Sequence, residues 1–371
     1  MEEKINKLIA NSLFQMTGKL TISQFKNIVK KMEWKMDYKK IQIVGTNGKG
    51  SVAKFINDNL VKDEQRVGLF TSPHIINLEE RIRINNLKIP FIDLQINMMD
   101  IYIKFPEYTF GFFQLMFLSS LAYFEQKKVS VAIFESGIGA KKDIVNFLDF
   151  DITCFTSISI DHEEILGSTI EKITTDKSFA IKEKNIVYIP DNMEEKSLNI
   201  MNKRINFVNN KTTKIIKIKS KNIYDNNKEI AKTILENEFK IKPKLFLLPA
   251  GRSQEIIINN ITCYIDVGHN QDGIKKTLSY FKENNIVFDN YIVSLSSNKN
   301  VKKIMNNFDP QNTFVYQNKN KRSLPIHDFP EEFGRIYSIE KLIKTLDKRI
   351  LFIGSFYFIE EILREIKYEI S

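Results

Sequence analysis

The sequence predicts an α/β protein of two domains, the first built on a mostly parallel sheet. Its 371 residues exceed one ordinary domain and suffice for two buried cores. The apolar run IQIV (Ile41 to Val44) leads into the glycine-rich string GTNGKGS at Gly45 to Ser51, then into helical spacing over Val52 to Lys62 and a second strand at Arg66 to Phe70. That is a βαβ order, which implies parallel pairing. Further on, KPKLFLLPAGR breaks the pattern with Pro243, Pro249 and Gly251, after which strand and helix alternate again. The boundary is placed near residue 249, dividing the chain into 1–249 and 250–371.

The elements follow in order. Residues 1 to 37 carry the apolar spacing of short amphipathic helices. Phe110 to Phe124 is a long apolar stretch interrupted by Gly111, Gln114 and two serines. It is too short to span a bilayer comfortably and reads as a buried helix. VSVAIFE (Val129 to Glu135) and DITCFTSIS (Asp151 to Ser159) are two more strands, each ending at a polar motif. Strand C-termini are where open α/β sheets bind ligands. A helical stretch runs from Asp161 to about Lys182, a strand lies near Ile186 to Ile189, and the region to Lys221 reads as strands and turns. A helix over Asn227 to Glu238 follows. Beyond the boundary come the strand ITCYIDVG, the helix GIKKTLSYFKE, the strand YIVSLSS, a helix from Val301, and the strand RILFIGS before the helix FYFIEEILREI.

Composition narrows the class. Apolar residues at 43% and charged residues at 27% are globular values, and the formal net charge of +10 attracts nucleotide phosphates, polycarboxylates and nucleic acid alike. The basic residues are dispersed, and the densest stretch, Lys203 to Lys221, has few aromatics and reads as solvated. No nucleic-acid partner is expected. Cys154 and Cys263 lie far apart in apolar strands, as reduced core thiols of a cytoplasmic protein do. MEEKINKLIANSLF has two early acids and no apolar core, so neither a secretory signal nor a membrane partner is expected.

Three of the four histidines, His74, His162 and His269, sit in short strings with the scarce glycines. GTNGKGS follows a strand and precedes a helix, the context of a phosphate-cradling loop. Glycines let backbone N–H groups face phosphates and Lys49 reaches terminal oxygens. Its spacing is not that of the standard Walker loop, and three glycines within six residues argue for a backbone demand. After the next strand comes TSPH, where Ser72 offers a hydroxyl to Mg2+. Glu135 places a carboxylate at a sheet C-terminus, with helix capping or an ion pair as its other use. His162 follows the next strand and reads as either structural or a ligand. Arg252 follows Gly251 at the domain junction, where a cation could reach phosphates. Asp266 and His269 flank a glycine in DVGHNQDG, a site or a satisfied turn. Lys177 reads from spacing alone as a surface helix lysine. Both cysteines lie within strands and no G-x-S-x-G elbow occurs, so a cysteine nucleophile or a serine triad is unsupported. These strings point to a nucleotide-dependent enzyme.

Taken in order, GTNGKGS, TSPHIINLEERIRIN, ESGIGAKKDIVN, SIDHEEILGSTIEKITTDKSFAIK, AGRSQEI, IDVGHNQDG and IGSFYF resemble the folylpolyglutamate synthase and dihydrofolate synthase family of the Mur ligase superfamily. The resemblance implies a P-loop ATPase domain with a mostly parallel sheet, plus a smaller Rossmann-like C-terminal domain. It also assigns roles. Gly45, Thr46, Asn47, Gly48, Lys49, Gly50 and Ser51 would hold the ATP phosphates. Ser72, Glu135 and His162 would ligate magnesium, and Lys177 would be carbamylated and orient a second metal. Asn227 would contact adenine, while Arg252, Asp266 and His269 would close over the nucleotide. Phe113, Gln114, Asp143 and Ile144 would lie on the pterin side.

The implied reaction is ATP-dependent addition of L-glutamate to the γ-carboxylate of a reduced folate through an acyl phosphate, in a cytoplasmic monomer. Lys49, His162 and Lys177 would be its catalytic groups. First-glutamate addition to dihydropteroate, alone or in a bifunctional enzyme, is the nearest alternative, and Gln114 and Ile144 tilt the reading toward polyglutamylation. A Mur-type ligase of cell-wall precursors leaves the TSPH loop unexplained. A nucleotide-binding homologue without catalysis is the more distant alternative.

Overall fold

The computed structural model describes residues 20–220 and 222–368. Most of the segment expected to form short N-terminal helices, and with it the string read for a secretory signal, lies outside the described residues. The chain divides into two compact units. The first takes the residues up to Ser72, then Leu78–Lys219 and Asn227–Phe246; the second takes Pro73–Asn77, Ser220–Asn226 and everything from Leu247. A single cut near residue 249 therefore differs from the fold in two short excursions. Each is too brief to register as a composition change.

The first unit begins with α1 (Ile22–Lys31), started by a capping box in which Thr21 and Gln24 bond each other's backbone N–H groups. There follow β1 (Lys39–Val44), α2 (Lys49–Lys62), β2 (Val67–Phe70), the hairpin of β3 (Ile82–Ile84) and β4 (Leu87–Lys88), α3 (Phe91–Lys104), α4 (Phe112–Gln126) and β5 (Val131–Glu135). After these come β6 (Ile152–Phe155), α5 (Glu163–Leu166), α6 (Ile170–Ser178), β7 (Ile186–Pro190), α7 (Glu195–Phe207) and β8 (Lys214–Ile216). The last helix, α8 (Ile223–Ile234), belongs to this unit from Asn227 onward and runs on into a π-turn at Leu235–Phe239.

The sheet order is β4-β3-β2-β5-β1-β6-β7-β8. From β2 to β8 every pair is parallel, and only the β2–β3–β4 edge is antiparallel. Ile43 of β1 pairs with Glu135 on one side and Cys154 on the other. The ends of β5, β1 and β6 thus reach the same sheet edge together. On one face the aromatic rings of Phe70, Phe117, Phe124, Phe134 and Phe150 form the core, with centroids 5.6 to 5.8 Å apart. On the other, Val44, Phe155, Ala180, Ile189 and Met201 pack together. The apolar stretch from Phe110 forms α4, buried from Leu115 to Phe124 as its composition implies.

Two first-unit expectations are corrected. The region read as strands and turns up to Lys221 contains α7, thirteen residues long. Only Ser197 and Met201 on it are buried, so its apolar period is too sparse to stand out among Asn and Lys. The helical stretch from Asp161 is two helices split at Gly167. There φ is +90° and a Cβ would lie 2.7 Å from the Lys172 side chain.

The second unit holds β9 (Gln254–Ile258), β10 (Ile261–Asp266), α9 (Gln271–Glu283), β11 (Asn290–Ser294), α10 (Val301–Met305), β12 (Thr313–Tyr316), β13 (Gly334–Ile336), α11 (Ile339–Lys344), β14 (Ile350–Gly354) and α12 (Phe356–Glu365). Its order is β13-β12-β11-β14-β10-β9, parallel except for β9 on the edge. Apolar clusters cover both faces, as a doubly wound sheet requires. Cys154 and Cys263 are buried and free. Among the described residues no helix is long and apolar enough to cross a membrane.

Phe134 is fully buried and touches three rings of the first core. Phe134→Ala is expected to cost about 3–5 kcal/mol in a urea titration; a loss under about 1 kcal/mol would show that this cluster does not anchor the unit.

Candidate active site

The loop from Gly45 to Ser51 lies against the segment that follows β6. Thr46 N–H donates to Ser157 O (2.6 Å), and the Thr46 hydroxyl donates to Ser159 O (3.1 Å). Asn47 is held from both ends: its N–H donates to Ser157 Oγ (3.2 Å) and its amide to Ser159 Oγ (3.3 Å), while Thr156 Oγ1 (2.8 Å) and Ser157 Oγ (3.0 Å) donate to its carbonyl. A Cβ at Gly45 would fall 1.9 Å from Thr156 Oγ1. At Gly48, φ is +92° and a Cβ would lie 2.4 Å from Asn227 Oδ1. Both glycines are therefore required by close approach. Gly48 caps α2 without any side-chain cap, and Lys49 is the first helical residue, three earlier than the sequence suggested. The first-turn N–H groups of α2 stay available for an anion.

Two lysines converge on this loop. Lys49 Nζ donates to Gly45 O and Thr46 O, both at 3.2 Å, and Lys177 Nζ donates to Gly45 O at 2.8 Å. Lys177, far from being a surface lysine, is buried on α6. Burial and then the nearby Lys49 charge bring its amine down to about 7, against the opposing pull of Asp176, Asp161 and Asp143.

Glu135 is buried at the end of β5. Its Oε2 accepts the Ser72 N–H at 3.0 Å and would lie 3.5 Å from a Cβ on Gly50 in the first turn of α2. Ser72 and Glu135 are thus brought together beside the loop. His162 follows β6 with φ +52° and caps α5; its N–H donates to Asp161 Oδ1 (2.9 Å) and its Nε2 lies 3.9 Å from Asp161 Oδ2. A non-glycine residue held at positive φ stores strain of the kind found at working sites. Among the described residues no three His, Cys, Asp or Glu side chains group as a metal cage. The Glu135 carboxylate beside Ser72 suits instead a hard cation that keeps much of its water.

Asn227 is buried against Gly48, and its Nδ2 has no acceptor among the described residues. Of the four positions that the resemblance puts on the pterin side, Asp143 is buried and accepts Gly137 N–H (2.6 Å) and Val145 N–H (3.0 Å). Burial pushes its carboxyl up to about 7 against these bonds and the Lys177 and Lys49 charges. Ile144 belongs to the core, Gln114 caps its own helix through Gly111 N–H (3.2 Å), and the Phe113 ring packs on Phe70 and against Gly137. The fold thus gives each of these four a structural duty.

Within the second unit, Asp266 is fully buried and accepts from Ser253 N–H (2.7 Å), Gly268 N–H (2.7 Å), Thr277 Oγ1 (3.1 Å), Tyr224 OH (3.2 Å) and Ser253 Oγ (3.4 Å). With both oxygens so engaged, it fixes the turns carrying Arg252 and His269. The Arg252 guanidinium and the His269 ring each lie 5.8 Å from the Phe356 ring, and His269 Nδ1 contacts Val267 O at 2.9 Å. Sequence reasoning missed the bracing hydroxyls of Thr156, Ser157 and Ser159, and Asp176, which accepts Ala140 N–H (2.7 Å) and Lys141 N–H (3.3 Å). The hydroxyl-rich string TSIS after an apolar strand was the available signal.

A glycine-rich loop that opens a helix at the end of a central parallel strand, in a chain whose second unit is a smaller, mostly parallel α/β sheet, defines a two-unit α/β protein of the phosphate-loop class. No protein-family model matches the chain. The dihydrofolate synthase/folylpolyglutamate synthase of Buchnera aphidicola (Baizongia pistaciae) is 29% identical over 296 residues, covering 72% of this chain and 69% of its own length. That of Bacillus subtilis is 40% identical over 150 residues, 38% of this chain and 34% of its own. A bifunctional folylpolyglutamate synthase/dihydrofolate synthase from Yersinia pestis, solved with AMPPNP and a manganese ion, shares the fold with TM-score 0.85 over 98% of both chains at 18% identity. The folylpolyglutamate synthase of Thermotoga maritima does so with TM-score 0.80 over 99% of this chain and 97% of its own at 19% identity. In sequence and in fold the chain is similar to the folylpolyglutamate synthase/dihydrofolate synthase family.

Gly48→Ala is expected to cost about 1–3 kcal/mol, since αL strain and the Asn227 clash act together; an unchanged denaturation midpoint would show that the loop relaxes freely. Lys177 also predicts a pH dependence. Its folded pKa, about 7, lies below the unfolded value near 10.5, so the unfolded chain holds the extra proton between these values and stability rises with pH across that window. The cost of burying the ammonium is fully present below pH 7. Lys177→Met should flatten the rise in urea titrations from pH 7 to 10, and an unaltered slope would exclude a depressed Lys177.

Proposed function

We propose that the protein transfers L-glutamate to the γ-carboxylate of a reduced folate, using ATP and a divalent metal such as Mg2+ through an acyl phosphate. The observation that carries the reading is the convergence of the 45–51 loop, Glu135, Ser72 and Lys177 at the C-terminal edge of β1, β5 and β2. Backbone N–H groups of the loop and of the first turn of α2 bind the phosphates. Lys49 exchanges its two carbonyl acceptors for phosphate oxygens. Ser72, Glu135 and His162 hold the metal, which when bound offsets charge on the transferring phosphoryl group. The buried Asn227 amide donates to the nucleotide base, and Arg252 and His269, fixed by Asp266, are the nucleotide-binding candidates that the family resemblance implies in the second unit. Phe113, Gln114, Asp143 and Ile144 shape the pterin side through the backbone they hold.

The folate carboxylate attacks the γ-phosphate, ADP leaves, and the amine of glutamate then displaces phosphate from the acyl phosphate. Positioning and electrostatics supply the rate and no protein nucleophile is needed. A neutral Lys177 amine is the form that adds to CO2: its nitrogen bonds the carbon, a proton leaves to solvent, and a carbamate results. That converts the buried cation into an anion suited to a metal. The family resemblance implies a monomer in the cytoplasm. A second reading, first-glutamate addition to dihydropteroate in the same protein, is favoured by the double names of the curated relatives.

The test is ATP- and Mg2+-dependent incorporation of labelled glutamate, with tetrahydrofolate and dihydropteroate compared as acceptors. Incorporation into tetrahydrofolate alone is expected, and incorporation into dihydropteroate establishes the bifunctional enzyme. ATP binding with no incorporation into either would sink the ligase reading. Lys177→Ala is expected to abolish turnover while leaving ATP binding within about twofold, because positioning groups act on the transition state; near-normal turnover would remove Lys177 from the mechanism.

A further inference from the structure

Phe179, the residue that closes α6, carries two cations on one ring. Lys141 Nζ lies 5.0 Å and Arg204 Cζ 4.7 Å from its centroid, and Arg204 is also 5.6 Å from the ring of Phe207. The guanidinium is thus fixed by two aromatic rings. Among the described residues neither cation has a carboxylate within 4.0 Å, and Arg204 Nε is buried with no acceptor. Burial lowers the Arg204 pKa with no acid to oppose it. Two like charges gathered on one ring, with a buried donor unsatisfied, are arranged for an anion the protein does not itself supply.

The pair is anchored beside the proposed reaction centre. Asp176 accepts the backbone N–H groups of Ala140 and Lys141, and the next residue, Lys177, reaches Gly45 O. The loop carrying Lys141 also holds Asp143 on the proposed pterin side.

We propose that Lys141 and Arg204 form a subsite for the carboxylates of a γ-linked polyglutamate tail on the folate acceptor. It rests on the folate-ligase reading above and deepens it. A glutamylated acceptor presents one α-carboxylate per residue along a flexible chain, which suits two separated cations, one of them a planar fork matched to carboxylate. Dihydropteroate has no carboxylate besides the one that reacts, so cations outside the phosphate loop gain nothing from it. The subsite is the feature of this chain that favours longer acceptors over the first-glutamate substrate.

The test uses the full chain. KM is measured for mono- and triglutamyl tetrahydrofolate, and calorimetry measures binding of a γ-linked triglutamate peptide against inorganic phosphate at equal ionic strength. In Arg204→Gln, and in Lys141→Gln at its exposed position, the preference for the triglutamyl acceptor and the affinity for the peptide each fall about tenfold. KM for ATP does not move, and Arg204→Lys recovers part of the loss. Unchanged preference and peptide affinity in both Gln variants would overturn the subsite, as would wild-type peptide binding no tighter than phosphate. A wild-type protein that incorporates no glutamate, yet binds the peptide in an Arg204-dependent way, would sink the ligase reading and keep the subsite.

Discussion

Everything at the proposed reaction centre depends on how closely the backbone after β1 approaches the backbone after β6. Gly45 sits where a Cβ would fall within 1.9 Å of the Thr156 hydroxyl, and Gly48 where one would meet Asn227. With no side chains in the way, Asn47 can be held by hydroxyls from 156–159. That pinning aims the start of α2 at the sheet edge, which concentrates unpaired N–H groups where phosphate is expected. The parallel order β2-β5-β1 then carries Ser72 and Glu135 to the same edge, because neighbouring parallel strands end together.

The loop is electrostatically unusual as well. Lys49 and Lys177 share the carbonyl of Gly45, and their mutual repulsion adds to the burial that depresses Lys177. Asp143 feels the opposite pull and is still raised, because desolvation outweighs its bonds and the two cations. Burial thus works against charge on both sides of the pair and lowers the proton affinity of the Lys177 amine. Such an amine is a nucleophile, whereas an ammonium at the surface is only a solvated charge.

In the second unit the same economy of placement falls to Asp266. One fully buried carboxylate takes five donors and thereby fixes the two turns from which Arg252 and His269 extend toward Phe356. A carboxylate so occupied acts on other residues' geometry, and IGSFYF contributes an aromatic ring to that arrangement beyond its role in β14 and α12.

The alternation of apolar strands and amphipathic helices, the glycine-rich turn and the polar strings at strand ends were all legible in the sequence, because periodicity and backbone demand are local. So was the glycine-rich loop, whose glycines answer to a steric requirement that few other residues meet. Helix α7 was not, since two buried side chains in thirteen leave almost no period to read. Nor were the two short excursions of chain into the second unit, which no composition change marks. Lys177 reads locally as a surface lysine, and only the packing of α6 against the loop makes it a buried amine. The bracing serines, the Tyr224 bond to Asp266 and the pairing of Lys141 with Arg204 over Phe179 join residues from 42 to 112 positions apart. The sequence by itself determined most of the elements and the glycine-rich turn, because local sterics and periodicity suffice for that; tertiary structure decided which charges meet, lose water and change their proton affinity, because those effects depend on distances between remote parts of the chain.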